Sequence, residues 1–163
     1  MPEKTIERAR RDKRQGKSAS TQAGEFVREE IHHVREGKHG ARSTKQAIAI
    51  GLAKARRAGV KLKTPKPGTT SARTRQSAKR DAAAGRSAAK RPSPSRSRAA
   101  KKALRREGHS ATSKRALSRQ ATSAARRRPA RDRSAAARKA ARTKGPAVRK
   151  AAARKAARTR ARG

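Results

Sequence analysis

The sequence predicts a mostly α-helical fold in two parts: a short N-terminal helical hairpin module over residues 1–63, followed by a largely disordered Ala/Arg/Lys-rich tail over residues 64–163. Three observations carry that expectation. Large apolar residues lie early, with Ile6, Phe26, Val27, Ile31, Val34, Ile48, Ile50, Leu52, Val60 and Leu62 before Lys63 and Leu104, Leu117 and Val148 after it. Charge runs the other way: 17 basic and 7 acidic residues precede the boundary and 33 basic and 3 acidic follow it, so +30 of the net +40 belongs to the tail. Two early segments also show helical periodicity closed by glycine.

The first segment, STQAGEFVREEIHHVREG from Ser20 to Gly37, places Val27, Ile31 and Val34 at the i, i+4, i+7 spacing of one apolar stripe. That spacing predicts a helix over about 21–36, with Glu25, Glu29, His32 and Glu36 on the opposite face. The second begins at Ser43, where S-T-K-Q supplies an N-cap and a Gln three residues on, and stops at Gly59, with Val60 placed for a Schellman-type apolar contact. A helix over about 44–58 follows, with Ile48, Leu52 and Ala55 as its buried stripe and Ala47, Gly51 and Ala58 as a flank of small residues open to close approach. The connection of about six residues implies an antiparallel pair. So small an apolar core implies that the pair needs a partner, a second copy or DNA.

Lys61 to Thr70, KLKTPKPGTT, reads as a linker. Beyond it the composition is Ala, Arg, Lys and Ser, too little apolar surface to offset conformational entropy. The nonapeptide AAARKAART occurs at Ala135 to Thr143 and, unchanged, at Ala151 to Thr159. Ala and Arg favour helix there, but Arg154, Arg158 and Arg162 repel at i, i+4 spacing, which predicts folding when phosphates neutralise them.

Composition excludes several function classes. Without cysteine there is no thiolate catalysis, disulfide or Cys-type zinc site. The N-terminal MPEKTIERARRDKR has no apolar core of a secretion signal, and no apolar run is long enough to span a membrane. Gly16-Lys17-Ser18 imitates the end of a P-loop, yet Arg11 stands where its first glycine is required. Ser93-Pro94-Ser95-Arg96 and Thr64-Pro65-Lys66 resemble minor-groove turns but read first as linker. His32, His33 and His39 with Glu29 and Glu30 read as surface residues of a charged helix rather than metal ligands, so no metal and no cofactor are expected. The stripe Glu25, Glu29 and Glu36 is the chief concentration of negative charge, a solvated face or a dock for the tail or another protein. With Phe26 as the lone aromatic, stacking on single-stranded bases is disfavoured. No helix-turn-helix pattern suggests base readout, and no nucleophile, base and orienting group assemble into an enzyme.

The block STQAGEFVREEIHHVREGKHGARSTKQAIAIGLAKARRAG, most distinctively ARSTKQAIAIGLAKARRAG from Ala41 to Gly59, resembles a small bacterial family of short basic proteins. That family's activity is not established, so the resemblance implies a bacterial origin and no catalytic residues. The tail resembles the Ala/Lys/Arg-rich tails of bacterial histone H1-like proteins, which implies DNA binding without sequence preference.

The expectation is therefore a non-enzymatic, sequence-nonspecific DNA-binding protein, cytoplasmic and nucleoid-associated, that coats or compacts duplex DNA through its tail. An RNA- or ribosome-associated basic protein is the alternative. Phosphate contact is expected from Arg138, Lys139, Arg142, Lys144, Arg149, Lys150, Arg154, Lys155, Arg158, Arg160 and Arg162. Lys45, Lys54, Arg56 and Arg57 form a second patch, with Ile50 on its face. A homo-oligomer or protein partner would use the hairpin, and no membrane is expected.

Overall fold

Helices α2 (Ala19–Arg35) and α3 (Thr44–Arg57) lie within two residues, at each end, of the segments that periodicity predicts, in a computed structural model describing residues 3–87 and 93–161. Their ends form for the expected reasons. Ser43 Oγ accepts from the Gln46 amide at 3.2 Å, although Gln46 reaches back to the amide of Arg42, at 2.8 Å, instead of that of Ser43. At the other end Gly59 takes φ 86°, which L side chains rarely adopt. The Val60 amide then donates to the Ala55 carbonyl and the Gly59 amide to that of Arg56, both at 3.0 Å, the paired bonds of a Schellman motif.

A helix that periodicity did not announce precedes them. Helix α1 (Glu3–Arg14) buries Thr5 and Ala9, packs Ile6 against the core, and ties to α2 through Arg8 Nε and Glu25 Oε2 at 2.7 Å. With Ile6 its single large apolar side chain, it offers too little pattern to read. The core thus gathers Ala9 of α1, Ala23 and Phe26 of α2 and Ala55 of α3, with Leu52, Val60 and Leu62 against it. A smaller cluster joins Val34, Ala41 and Ala47.

The expected stripes are rotated. On α3 the buried line is Thr44, Ala47, Gly51 and Ala55, and Ile48 and Leu52 are half-buried. The small flank decides this: a Cβ on Gly51 would lie 2.7 Å from Val27 Cα, so α2 crosses α3 at its narrowest point. On α2, Phe26, Glu29, Glu30 and Val34 are buried, whereas Val27 and Ile31 are half-buried. Glu29, expected on the solvent face, is enclosed.

The expected disorder of the tail is corrected by helices α4 (Ala72–Ala84), α5 (Pro94–Arg105), α6 (Lys114–Arg126) and α7 (Ala130–Ala161), with a 3-10 turn at Ser110–Thr112. Ser71 caps α4, which buries Ala78 and Asp81 and is tied to α3 by Arg57 and Asp81 at 2.8 Å. Residues 104–112 dock by hydrogen bonds: the Gly40 amide donates to the Leu104 carbonyl at 2.8 Å, and the Ala41 amide to that of Gly108 at 3.0 Å. Thr44 Oγ1 donates to the Ala111 carbonyl at 2.6 Å and Arg35 Nε to that of Thr112 at 2.9 Å. The pair α2–α3 is therefore covered by its own chain, within a compact unit bounded by Met1 and Gln120.

The second unit is Ala121–Gly163. Its helix α7 buries no residue and breaks at Gly145 (φ 67°, ψ 168°), beside Pro146. Each side of the break carries one copy of AAARKAART. In both, the threonine hydroxyl donates to the carbonyl four residues back, Thr143 to Lys139 at 2.9 Å and Thr159 to Lys155 at 3.0 Å. The repulsion expected to unfold this segment is worth only about 0.2–0.5 kcal/mol per i, i+4 pair, and alanines of the highest helix propensity fill the remaining positions. Among the described residues no helix is long and apolar enough to cross a membrane.

Candidate nucleic-acid interface

The predicted second patch does not assemble. Lys45 is exposed, but Lys54 Nζ lies 2.7 Å from the buried Glu30 Oε2, and Arg57 is engaged by Asp81. Arg56 is buried, its Nε without a hydrogen-bond partner, beside Gly85 at the end of α4, where a Cβ would collide with the Arg56 carbonyl. Ile50 is half-buried. Helix α4, invisible as a neighbour in the sequence, lies against Arg56 and supplies the Asp81 that engages the still exposed Arg57.

The tail residues are placed differently. Arg138, Lys139, Arg142 and Lys144 precede the Gly145 break, and Arg149, Lys150, Arg154, Lys155, Arg158 and Arg160 follow it, all exposed. Arg162 lies outside the described residues. Residues 121–163 contain 16 basic residues against Asp132, a net of +15. The cations surround the helix instead of forming one stripe, so α7 presents positive charge in every direction.

Sequence reasoning missed a further basic surface on α5. Arg98, Lys101, Lys102, Arg105 and Arg106 line one shallow depression, and none makes an ion pair among the described residues. The i, i+4, i+7 spacing of Arg98, Lys102 and Arg105 was the available signal, hidden in a segment read as disordered.

The acidic stripe is dispersed. Glu25 pairs with Arg8 and Arg28, Glu36 with Lys38, and Glu29 is buried near His33, Oε1 to Nε2 3.5 Å. The reading of the histidines as surface groups is also corrected for two of them, because the loop after α2 folds His39 back toward Glu30 and His33. His33 and His39 stand edge to face, centroids 6.3 Å apart. Burial, aided by the nearby Lys54 ammonium, holds the His33 imidazole below its ordinary pKa despite the opposing Glu29.

No protein-family model matches the chain, and no curated protein or solved structure shows significant similarity to it.

Proposed function

We propose that the chain is a sequence-nonspecific DNA-binding protein, a binding protein and not an enzyme, which coats or compacts duplex DNA in the manner of histone H1-like and nucleoid-associated proteins. The observation that carries this reading is the cationic surface of residues 121–161, exposed at every Arg and Lys and opposed by a single Asp. Phosphates are the partner that so dense a field suits, because each contact releases condensed counterions. Charge spread around a helix neutralises backbones without aligning side chains to base edges, and residues 121–163 contain no Asn or Gln for bidentate adenine contacts. The two AAARKAART helices on either side of Gly145 are two linked phosphate-binding elements, and the α5 depression supplies a third within the first unit. The likeness of the tail to histone H1-like tails supports the same reading.

The test is binding to random duplex as a function of salt. With about ten phosphate contacts, affinity should fall by roughly 10³ to 10⁵ between 50 and 200 mM salt, with little dependence on sequence. A salt-insensitive or sequence-selective complex overturns the proposal. Tighter binding to ribosomal RNA than to duplex in direct competition would favour the RNA-associated alternative.

A further inference from the structure

We propose that Glu30, His33 and His39, with Glu29 beside them, form a binding site for a zinc-like divalent cation that fastens the α2–α3 loop to helix α2. The ligand-capable atoms of the first three lie within 4.8 Å of one another. Glu30 and His33 share a face of α2 at i, i+3 spacing, and His39 meets them from the loop. This is not a solvated cluster: Glu30 is 0% exposed, and the His33 and His39 side chains are 19% and 18% exposed.

Two features of the site point to a cation. Three buried carboxylate oxygens, both of Glu29 and Oε1 of Glu30, have no hydrogen-bond donor. Buried polar groups are nearly always satisfied, and an unsatisfied carboxylate is among the costliest exceptions. The bonding of His39 supplies the second. Its Nδ1 lies 3.0 Å from the Gly40 carbonyl, which can only accept, so Nδ1 carries a proton and Nε2 is the nitrogen turned toward Glu30. That nitrogen is 3.3 Å from Glu30 Oε1. A carboxylate oxygen and an imidazole nitrogen so placed can share one positive charge between them.

A histidine whose second nitrogen donates to a backbone carbonyl is the usual metal-bound form, the carbonyl fixing tautomer and ring orientation. Glu30 is prepared in the same way, since Oε2 accepts from Lys54 Nζ at 2.7 Å and Oε1 is left for ligation. Two imidazoles and a carboxylate suit zinc and its borderline neighbours, whereas calcium and magnesium prefer all-oxygen sets. Glu29 Oε1 lies 3.5 Å from His33 Nε2 at the edge of the group, and the three convergent atoms leave a fourth position to water or to Glu29. The two carboxylates outnumber the one ammonium, so the site carries a local charge of −1 that favours a cation. The same loop holds residues 104–108 through Gly40 and Ala41, so the ion would brace the docking of that segment.

The experiment is calorimetric titration of zinc chloride into the metal-stripped full chain, with cobalt(II) absorption as a second readout. One equivalent should bind, and cobalt should give the spectrum of a four-coordinate nitrogen and oxygen site. His39→Ala and Glu30→Gln should each weaken binding about 100-fold or more, while His32→Ala, on the exposed face of the same helix, leaves it unchanged. The cobalt spectrum of the unaltered chain keeps the proposal testable even where a variant fails to fold. No saturable binding, affinity undiminished in His39→Ala, or a six-coordinate cobalt spectrum overturns it. Nitrogen chemical shifts showing His39 doubly protonated and unresponsive to zinc also overturn it, because a proton would then be the shared charge.

Discussion

Gly51 and Gly24 are both helical glycines, yet their surroundings predict opposite outcomes for one substitution. Alanine is the better helix former by about 1 kcal/mol. At Gly24, on α2, a Cβ would meet nothing within 4 Å, so Gly24→Ala should stabilise the chain by up to about 1 kcal/mol. At Gly51 the same methyl would press on Val27 backbone at 2.7 Å, and separating the helices costs about 1–3 kcal/mol, more than propensity returns. Gly51→Ala should therefore destabilise, and urea unfolding of the two variants checks the pair of signs. Equal shifts would mean that α2 and α3 do not approach at Gly51. The glycine was legible as part of a small flank; that the flank outranks Ile48 and Leu52 was not, because closeness of approach depends on the opposing helix.

Among the elements, those that local rules govern were the readable ones. Ser43, Gly59 and Val60 mark the ends of α3 through backbone hydrogen bonds within a few residues, and the chain needs no distant partner to form them. Residues 104–112 are the opposite case. They attach to the rest of the first unit through main-chain carbonyls that accept from Gly40, Ala41, Thr44 and Arg35, and carbonyls carry no sequence signature. Gly40 is the narrow point of that attachment, since a Cβ there would collide with the Glu107 carbonyl. Gly40→Ala should loosen the segment at a cost of about 1–3 kcal/mol. Hydrogen exchange should then speed at the Ala41 and Thr112 amides while α3 amides near Ala55 stay as protected as before. An unchanged exchange pattern would show that the contact is not needed.

At the scale of the whole molecule the two units rest on different physics. Residues up to Gln120 bury Phe26, Val34 and a set of alanines, whereas α7 buries nothing and is helical by local propensity alone. Opening of α7 should therefore cost far less than opening of α2, and its amides should exchange much faster in the free protein. Duplex DNA should slow them, as phosphates relieve the i, i+4 repulsion among its arginines. Protection of α7 equal to that of α2 without DNA would contradict this account. By itself the sequence determined the helical class, the ends of α2 and α3, the AAARKAART repeat and the uneven charge, because each depends on neighbours along the chain or on composition. Only the tertiary structure decided that α4 and residues 104–112 pack against α2 and α3, that Arg56 and Arg57 face α4, and that Glu30, His33 and His39 converge. Those outcomes turn on which distant backbones come close, and here small residues and carbonyls control the approach, leaving little hydrophobic pattern to reveal it.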